Sequence, residues 1–206
     1  MLERILEMAL KVSQEAEVFH VVSHETPASF EANRLKLLET RETAGVALRI
    51  IRDGRVGFAS TTDLSHLQQL VDTAVEVAPF GAEVRMEFPS KSEYPSVEVY
   101  DREVERFSVD DMVHLGQGLI DALRASNPDV QCEGRVAKAA GTQRVLNSRG
   151  GYASYTASTF GVYLHGTLIQ GEDMLFVGDG ESSCRPIRDT ATILASVEEQ
   201  LANART

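Results

Sequence analysis

The stretch Val46–Asp63, VALRIIRDGRVGFASTTD, constrains the fold more than any other part of the chain. Alternating apolar residues mark a strand at Gly45–Ile51 and a second, shorter one at Arg55–Ser60, and Asp53-Gly54 stands between them. Both central residues of a two-residue hairpin turn must take φ > 0, which Asp and Gly tolerate, so the pattern predicts an antiparallel hairpin. Thr62 or Asp63 is placed to cap a helix starting near Leu64, with Leu64, Leu67, Leu70, Val71, Ala74 and Val75 as its apolar stripe. Pro79 ends that helix, because proline cannot continue the hydrogen-bond ladder.

On either side of this stretch the same alphabet recurs. Leu2, Ile5, Leu6, Ala9 and Leu10 share one face of a helix over Met1–Lys11. Glu17–Ser23 reads as a strand bounded by Pro27, and Ala28–Asn33 with Leu35–Thr40 as a hairpin around Asn33-Arg34. From Phe80 to Phe107 only Val97–Tyr100 alternates, so residues 80–107 are expected to link two units or to wrap one of them. Ser108 and Asp111 open a helix carrying Met112, Leu115, Leu119 and Ile120, and Asn127-Pro128 stops it. Strands follow at Val130–Lys138, Gln143–Asn147 and Tyr152–Thr167; Gly171–Asp173 turns the last into Met174–Gly178. Pro186 suits the first turn of a final helix with Ile187, Ala191, Leu194, Val197 and Leu201 on one face. The expected class is therefore α+β, with a unit at 1–79 and another at 108–206, each running helix, antiparallel strands, helix. Gly45-Val46-Ala47-Leu48 and Gly161-Val162-Tyr163-Leu164 occupy comparable places, as in a duplicated unit, although three shared residues are also within the reach of chance.

Composition narrows the function. Apolar residues at 43% and charged residues at 25% are ordinary for a globular domain. The sequence holds no apolar run of the ~20 residues a membrane helix needs, and its first residues lack the basic start and apolar core of a signal peptide, so a cytoplasmic location without membrane contact is expected. A formal net charge of -11 repels phosphates and argues against direct nucleic-acid binding. Cys132 and Cys184 lie far apart with no metal-ligand spacing around them, and two unpaired thiols are expected.

No motif completes a catalytic or metal site. His24-Glu25 begins like a zinc-peptidase HExxH helix, yet Ala28 and Ser29 follow where the second histidine would stand, and Pro27 interrupts the helix. His24 is therefore expected in a solvated loop. His20, His66, His114 and His165 are scattered singly, and whether any converge depends on the fold. Gly178-Asp179-Gly180-Glu181 lacks the carboxylates of a calcium loop and the Gly-Lys-Ser/Thr of a phosphate loop, so a turn is expected there, as at Asn147–Gly151. Tyr152-Ala153-Ser154-Tyr155 offers stacking surfaces or simply half-buried strand tyrosines. No catalytic residue and no metal ligand is assigned, and a substrate-binding residue is not identified.

Three pieces in order, FEANRLK (Phe30–Lys36), GVALR (Gly45–Arg49) and DGRVGFAST (Asp53–Thr61), resemble the N-terminal signature of the TldD/PmbA proteins, once called modulators of DNA gyrase. VLNSRGGYASYTAS (Val145–Ser158) resembles a second segment of the same family. The resemblance implies a subunit of a soluble zinc metallopeptidase built from two related subunits that enclose the active site. In one subunit type the zinc is held by a HExxxH motif and a cysteine of a C-terminal domain; the other type lacks the motif and acts as its partner. That domain is expected to lie beyond Thr206, so the resemblance transfers no catalytic residue to this chain, and no zinc or other cofactor is expected on it. What it does imply is a share in the fold, in contacts with a related subunit of a homo- or hetero-oligomer, and in a chamber for peptide substrates. A non-catalytic module acting on a partner such as DNA gyrase is the alternative.

Overall fold

The structure, a computed structural model, describes residues 1–204. Its elements in chain order are α1 (Leu2–Ala9), β1 (Glu15–Glu31), β2 (Arg34–Leu38), β3 (Arg41–Arg52), β4 (Arg55–Thr61), α2 (Leu67–Val77), α3 (Arg102–Arg106), α4 (Val109–Ser126), β5 (Gln131–Asn147), β6 (Tyr152–Gln170), β7 (Asp173–Ser183) and α5 (Ala191–Asn203). The strands form one sheet in the order β4-β3-β1-β5-β6-β7, with β2 paired to β1. The class is α+β, as the periodicities require.

The Asp53-Gly54 hairpin forms as its sequence dictates: β3 and β4 pair antiparallel down to Arg52↔Arg55, and Asp53 and Gly54 take φ of 52° and 74°. A second hairpin of the same kind joins β1 to β2, with Glu31↔Arg34 as its last pair and Ala32 and Asn33 at φ of 48° and 71°. The turn therefore sits one residue earlier than Asn33-Arg34. Asn33 is drawn into it because its side-chain oxygen accepts from the Cys132 N–H at 2.7 Å.

Several boundaries differ from the sequence expectation, each for a local reason. Pro27 lies inside β1: the ladder with β2 stops at Ala28↔Leu38, and Glu39 and Thr40 opposite it are in no strand, where a missing N–H is tolerated. The runs 130–138 and 143–147 form one strand, β5, through Gly141. A Cβ at Gly141 would lie 2.5 Å from the Val22 carbonyl oxygen, so this glycine permits a close approach and makes no break. Gly178–Glu181 is in β7 and is no turn, since Gly178 and Gly180 lie opposite His165 and Tyr163 of β6. Helix α2 begins at Leu67 without a side-chain cap, and α5 begins at Ala191, leaving Pro186 and buried Ile187 before it. Val97–Tyr100 is in no strand.

Two compact units emerge, and both are discontinuous in sequence. One comprises residues 1–23, 42–98 and 141–156; the other 24–41, 99–140 and 157–206. This division replaces 1–79 and 108–206, because β1, β5 and β6, of 17 to 19 residues, each contribute to both units. In the first, Leu2, Ile5 and Ala9 of α1 and Leu70, Val71 and Ala74 of α2 bury with Val18, Leu48 and Ile50 of the strands. In the second, Met112, Ile120 and Leu123 of α4 and Val197 and Leu201 of α5 bury with Phe30, Phe160, Val162 and Leu164. The segment after α2 wraps the first unit. The Val56 N–H donates to the Ala82 carbonyl at 3.1 Å, the Val84 N–H to the Gly54 carbonyl at 2.8 Å, and the N–H of buried Phe88 to the Glu15 carboxylate at 2.8 Å.

Candidate functional site

The histidines named from the sequence stay apart. His20 is buried in β1; His24 is exposed in the same strand and not in a loop; His114 is exposed on α4; and the His165 ring lies over Gly178 on the β6–β7 hairpin. Glu25, the neighbour of His24, pairs with Arg135 at 2.6 Å. Among the described residues no group of three His, Cys, Asp or Glu is placed to hold a metal ion. Burial pushes the Cys132 thiol up to about 11, away from the thiolate a metal would need.

His66 has a local cluster around it. Its Nδ1 lies 2.9 Å from Asp63 Oδ2 and 2.8 Å from Ser65 Oγ, beside a cavity of about 190 Å³ lined by Ala59, Thr61, Gln69 and Thr73. A nucleophile relay requires the hydroxyl and the carboxylate on opposite ring nitrogens, whereas here both meet the same one. The cluster is instead the turn that leads into α2: the Ser65 N–H donates to Asp63 Oδ1 at 2.9 Å, and the bonds from Ser65 and His66 hold the Asp63 carboxyl down at about 2. Asp63 thus does at this turn what a cap would have done one turn later. Lys138 is equally structural, since its Nζ donates to the carbonyls of Glu105 and Phe107 at 2.8 and 2.7 Å, at the end of α3.

A further candidate surface lies on β6. That strand has β5 on one side and β7 on the other, but β7 reaches only as far as Phe160↔Ser183. Among the described residues, Tyr152–Thr159 consequently has no strand partner on the β7 side. A groove of about 700 Å³ runs there, lined by Tyr94, Pro95 and Val97 of the wrapping segment and by Tyr152, Ser154 and Tyr155 of β6. All three tyrosines are exposed. The approach is set by Asn147, whose buried amide accepts from the Arg149 and Gly151 N–H groups at 3.0 and 2.9 Å and donates to the Pro89 carbonyl at 3.0 Å. The sequence marks both the tyrosines and the Asn147–Gly151 turn. It carries no signal that β7 stops short, which depends on strand pairing.

Fold and site together define an α+β chain with an aromatic-lined strand edge. Residues 16–78 match the family model described as PmbA/TldA metallopeptidase domain 1. An uncharacterised protein of Methanocaldococcus jannaschii is 25% identical over 153 residues, covering 72% of this chain and 35% of that protein. The crystal structure of TldE from Thermococcus kodakarensis superposes with a TM-score of 0.83 at 20% identity, over 97% of this chain and 47% of the other. A candidate modulator of DNA gyrase from Bacteroides thetaiotaomicron gives a TM-score of 0.85 at 18% identity, over 98% and 48%. Over residues 16–78 the chain is similar to the TldD/PmbA family, and it spans about a third of the curated relative and just under half of these structures.

Proposed function

We propose that this chain is the N-terminal part of a TldD/PmbA-type metallopeptidase subunit, serving fold, assembly with a related subunit and the peptide chamber, in the cytoplasm. The observation that carries the reading is the match of residues 16–78 to the first metallopeptidase domain, joined to a fold shared over 97% of the chain with TldE. Its residues do not fit the family's zinc: no three ligating side chains converge among those described, and burial keeps the Cys132 thiol protonated. The metal, and the hydrolysis it supports, belong in this reading to another region or to the partner subunit.

The chain incubated with zinc and an unfolded protein such as reduced casein is expected to release no peptides above background. Zinc-dependent cleavage by these 206 residues alone would overturn the assignment. A second reading, a non-catalytic module acting on DNA gyrase, draws on the description of the Bacteroides structure. Retention of gyrase by the immobilised chain, at salt that strips nonspecific contacts, favours that reading; retention of a related subunit instead favours the first.

A further inference from the structure

The wrapping segment crosses the free edge of β6 without closing it. At its start Ser90 bridges Gly150, and at its far end the Val99 carbonyl accepts from the Ser158 N–H at 2.9 Å. Between those contacts residues 92–97 are in no helix or strand, and among the described residues no backbone hydrogen bond joins them to Tyr152–Thr156. The Ser158 bond also fixes the phase of the edge. Backbone groups of alternate strand residues point to opposite sides, so Tyr152, Ser154 and Thr156 turn theirs outward with Ser158, and Ala153 and Tyr155 turn theirs toward β5. Each outward residue offers one donor and one acceptor.

We infer that this edge is a docking slot for one extended peptide strand, which pairs with Tyr152, Ser154 and Thr156 of β6 inside the tyrosine-lined groove. Unpaired strand N–H and C=O groups in a row are a template on which another strand can pair. At a rise of ~3.3 Å per residue, Tyr152–Thr156 accommodates about five residues of such a strand. Odd and even positions of β6 face opposite sides of the sheet, so Tyr152 and Tyr155 flank the edge from the two faces and meet successive side chains of the guest. The chain's net charge of -11 selects a basic peptide over an acidic one. The inference rests on the edge and its lining, and it stands whether or not the chain is part of a peptidase.

An acetylated, amidated octapeptide of alternating valine and lysine, titrated into the ¹⁵N-labelled chain, tests it. Bound peptide is expected to slow hydrogen exchange of the Ser154 and Thr156 amides at least tenfold, while those of Ala153 and Tyr155 keep their rates. The same octapeptide N-methylated at every residue, with its side chains intact and its donors removed, is expected to bind at least tenfold more weakly, as is a valine–glutamate version. Three results would overturn the slot: no binding at millimolar peptide, undiminished binding of the N-methylated form, or slow exchange of Ser154 and Thr156 before peptide is added. In the last case dilution distinguishes closure by residues 92–97, which persists, from pairing with a second copy, which is lost. All arms use the unmodified chain, so none depends on a variant folding.

Discussion

Gly57 is the residue in the Asp53–Thr61 hairpin whose size matters most. A Cβ there would lie 2.1 Å from the Ala74 carbonyl oxygen and 3.0 Å from the Ala78 methyl, so α2 rests on β4 at this glycine. Gly57→Ala must push the helix away and is expected to cost about 1–3 kcal/mol, as overpacking does in tight cores. Thermal melting of the variant beside the parent chain checks this; an unchanged midpoint would mean that α2 is not seated there. Gly54, three residues away, has open space around its Cβ position and is required only for its φ of 74°. Both are glycines of one motif, and only the neighbours tell their roles apart.

His20 illustrates a second property of single residues that neighbours decide. Burial, and secondarily the positive charge of Arg144, lowers its pKa below the usual 6.5. With the folded value below the unfolded one, the unfolded chain takes up the proton first as pH falls. His20 therefore adds no penalty above the unfolded pKa, and stability declines as pH drops from about 6.5 toward the depressed folded value. Denaturant midpoints measured from pH 8 to pH 5 are expected to fall more steeply for the parent chain than for His20→Gln. Parallel curves would remove His20 from the account.

At the scale of elements, the two tight hairpins share a geometry and differ in how well their residues suit it. Asp53-Gly54 suits φ > 0 at both positions, whereas Ala32 pays a steric cost at φ 48° that glycine does not. Ala32→Gly is expected to raise stability by about 0.5–1 kcal/mol, the relief of left-handed strain less the extra entropy of an unfolded glycine. Chemical denaturation resolves a change of that size, and a loss would show that the alanine methyl contributes packing. Asn33 belongs at its place, because its side chain and backbone tie the turn to Cys132. The long strands teach the opposite lesson. Pro27 and Gly141 look like breaks in sequence, yet the chain continues through both, one opposite residues outside any strand and the other against the Val22 carbonyl.

For the whole molecule, net charge is the property that decides partners at long range. At -11 the chain is expected to leave the fluorescence anisotropy of a labelled 20-base-pair duplex unchanged at tens of micromolar protein and physiological salt. Micromolar binding that weakens with salt would contradict this and would reveal a local basic surface. No helix among the described residues is long and apolar enough to cross a membrane. The division into two interleaved units also belongs to this scale. Residues 1–79 and 108–206 each look like a helix–strands–helix module, and the Gly45–Leu48 and Gly161–Leu164 stretches do sit in corresponding places, each in the first strand of a hairpin that a helix follows.

What the sequence determined by itself is local: the Asp53-Gly54 turn, the Ser108 cap that accepts from the Asp111 N–H at 2.9 Å, the stop at Asn127-Pro128, the helical stripes and the family signature. Each follows from interactions within a few residues, where dihedral preference and periodicity act directly. The tertiary structure alone decided that β1, β5 and β6 serve two cores, that Gly178 and Gly180 lie beneath the rings of His165 and Tyr163, and that β7 ends opposite Phe160. Those outcomes depend on which strands pair and how far, a choice made by contacts between residues distant in sequence. The open edge at Tyr152–Thr156 is set in the same way: its tyrosines can be read one by one, and the missing neighbour cannot.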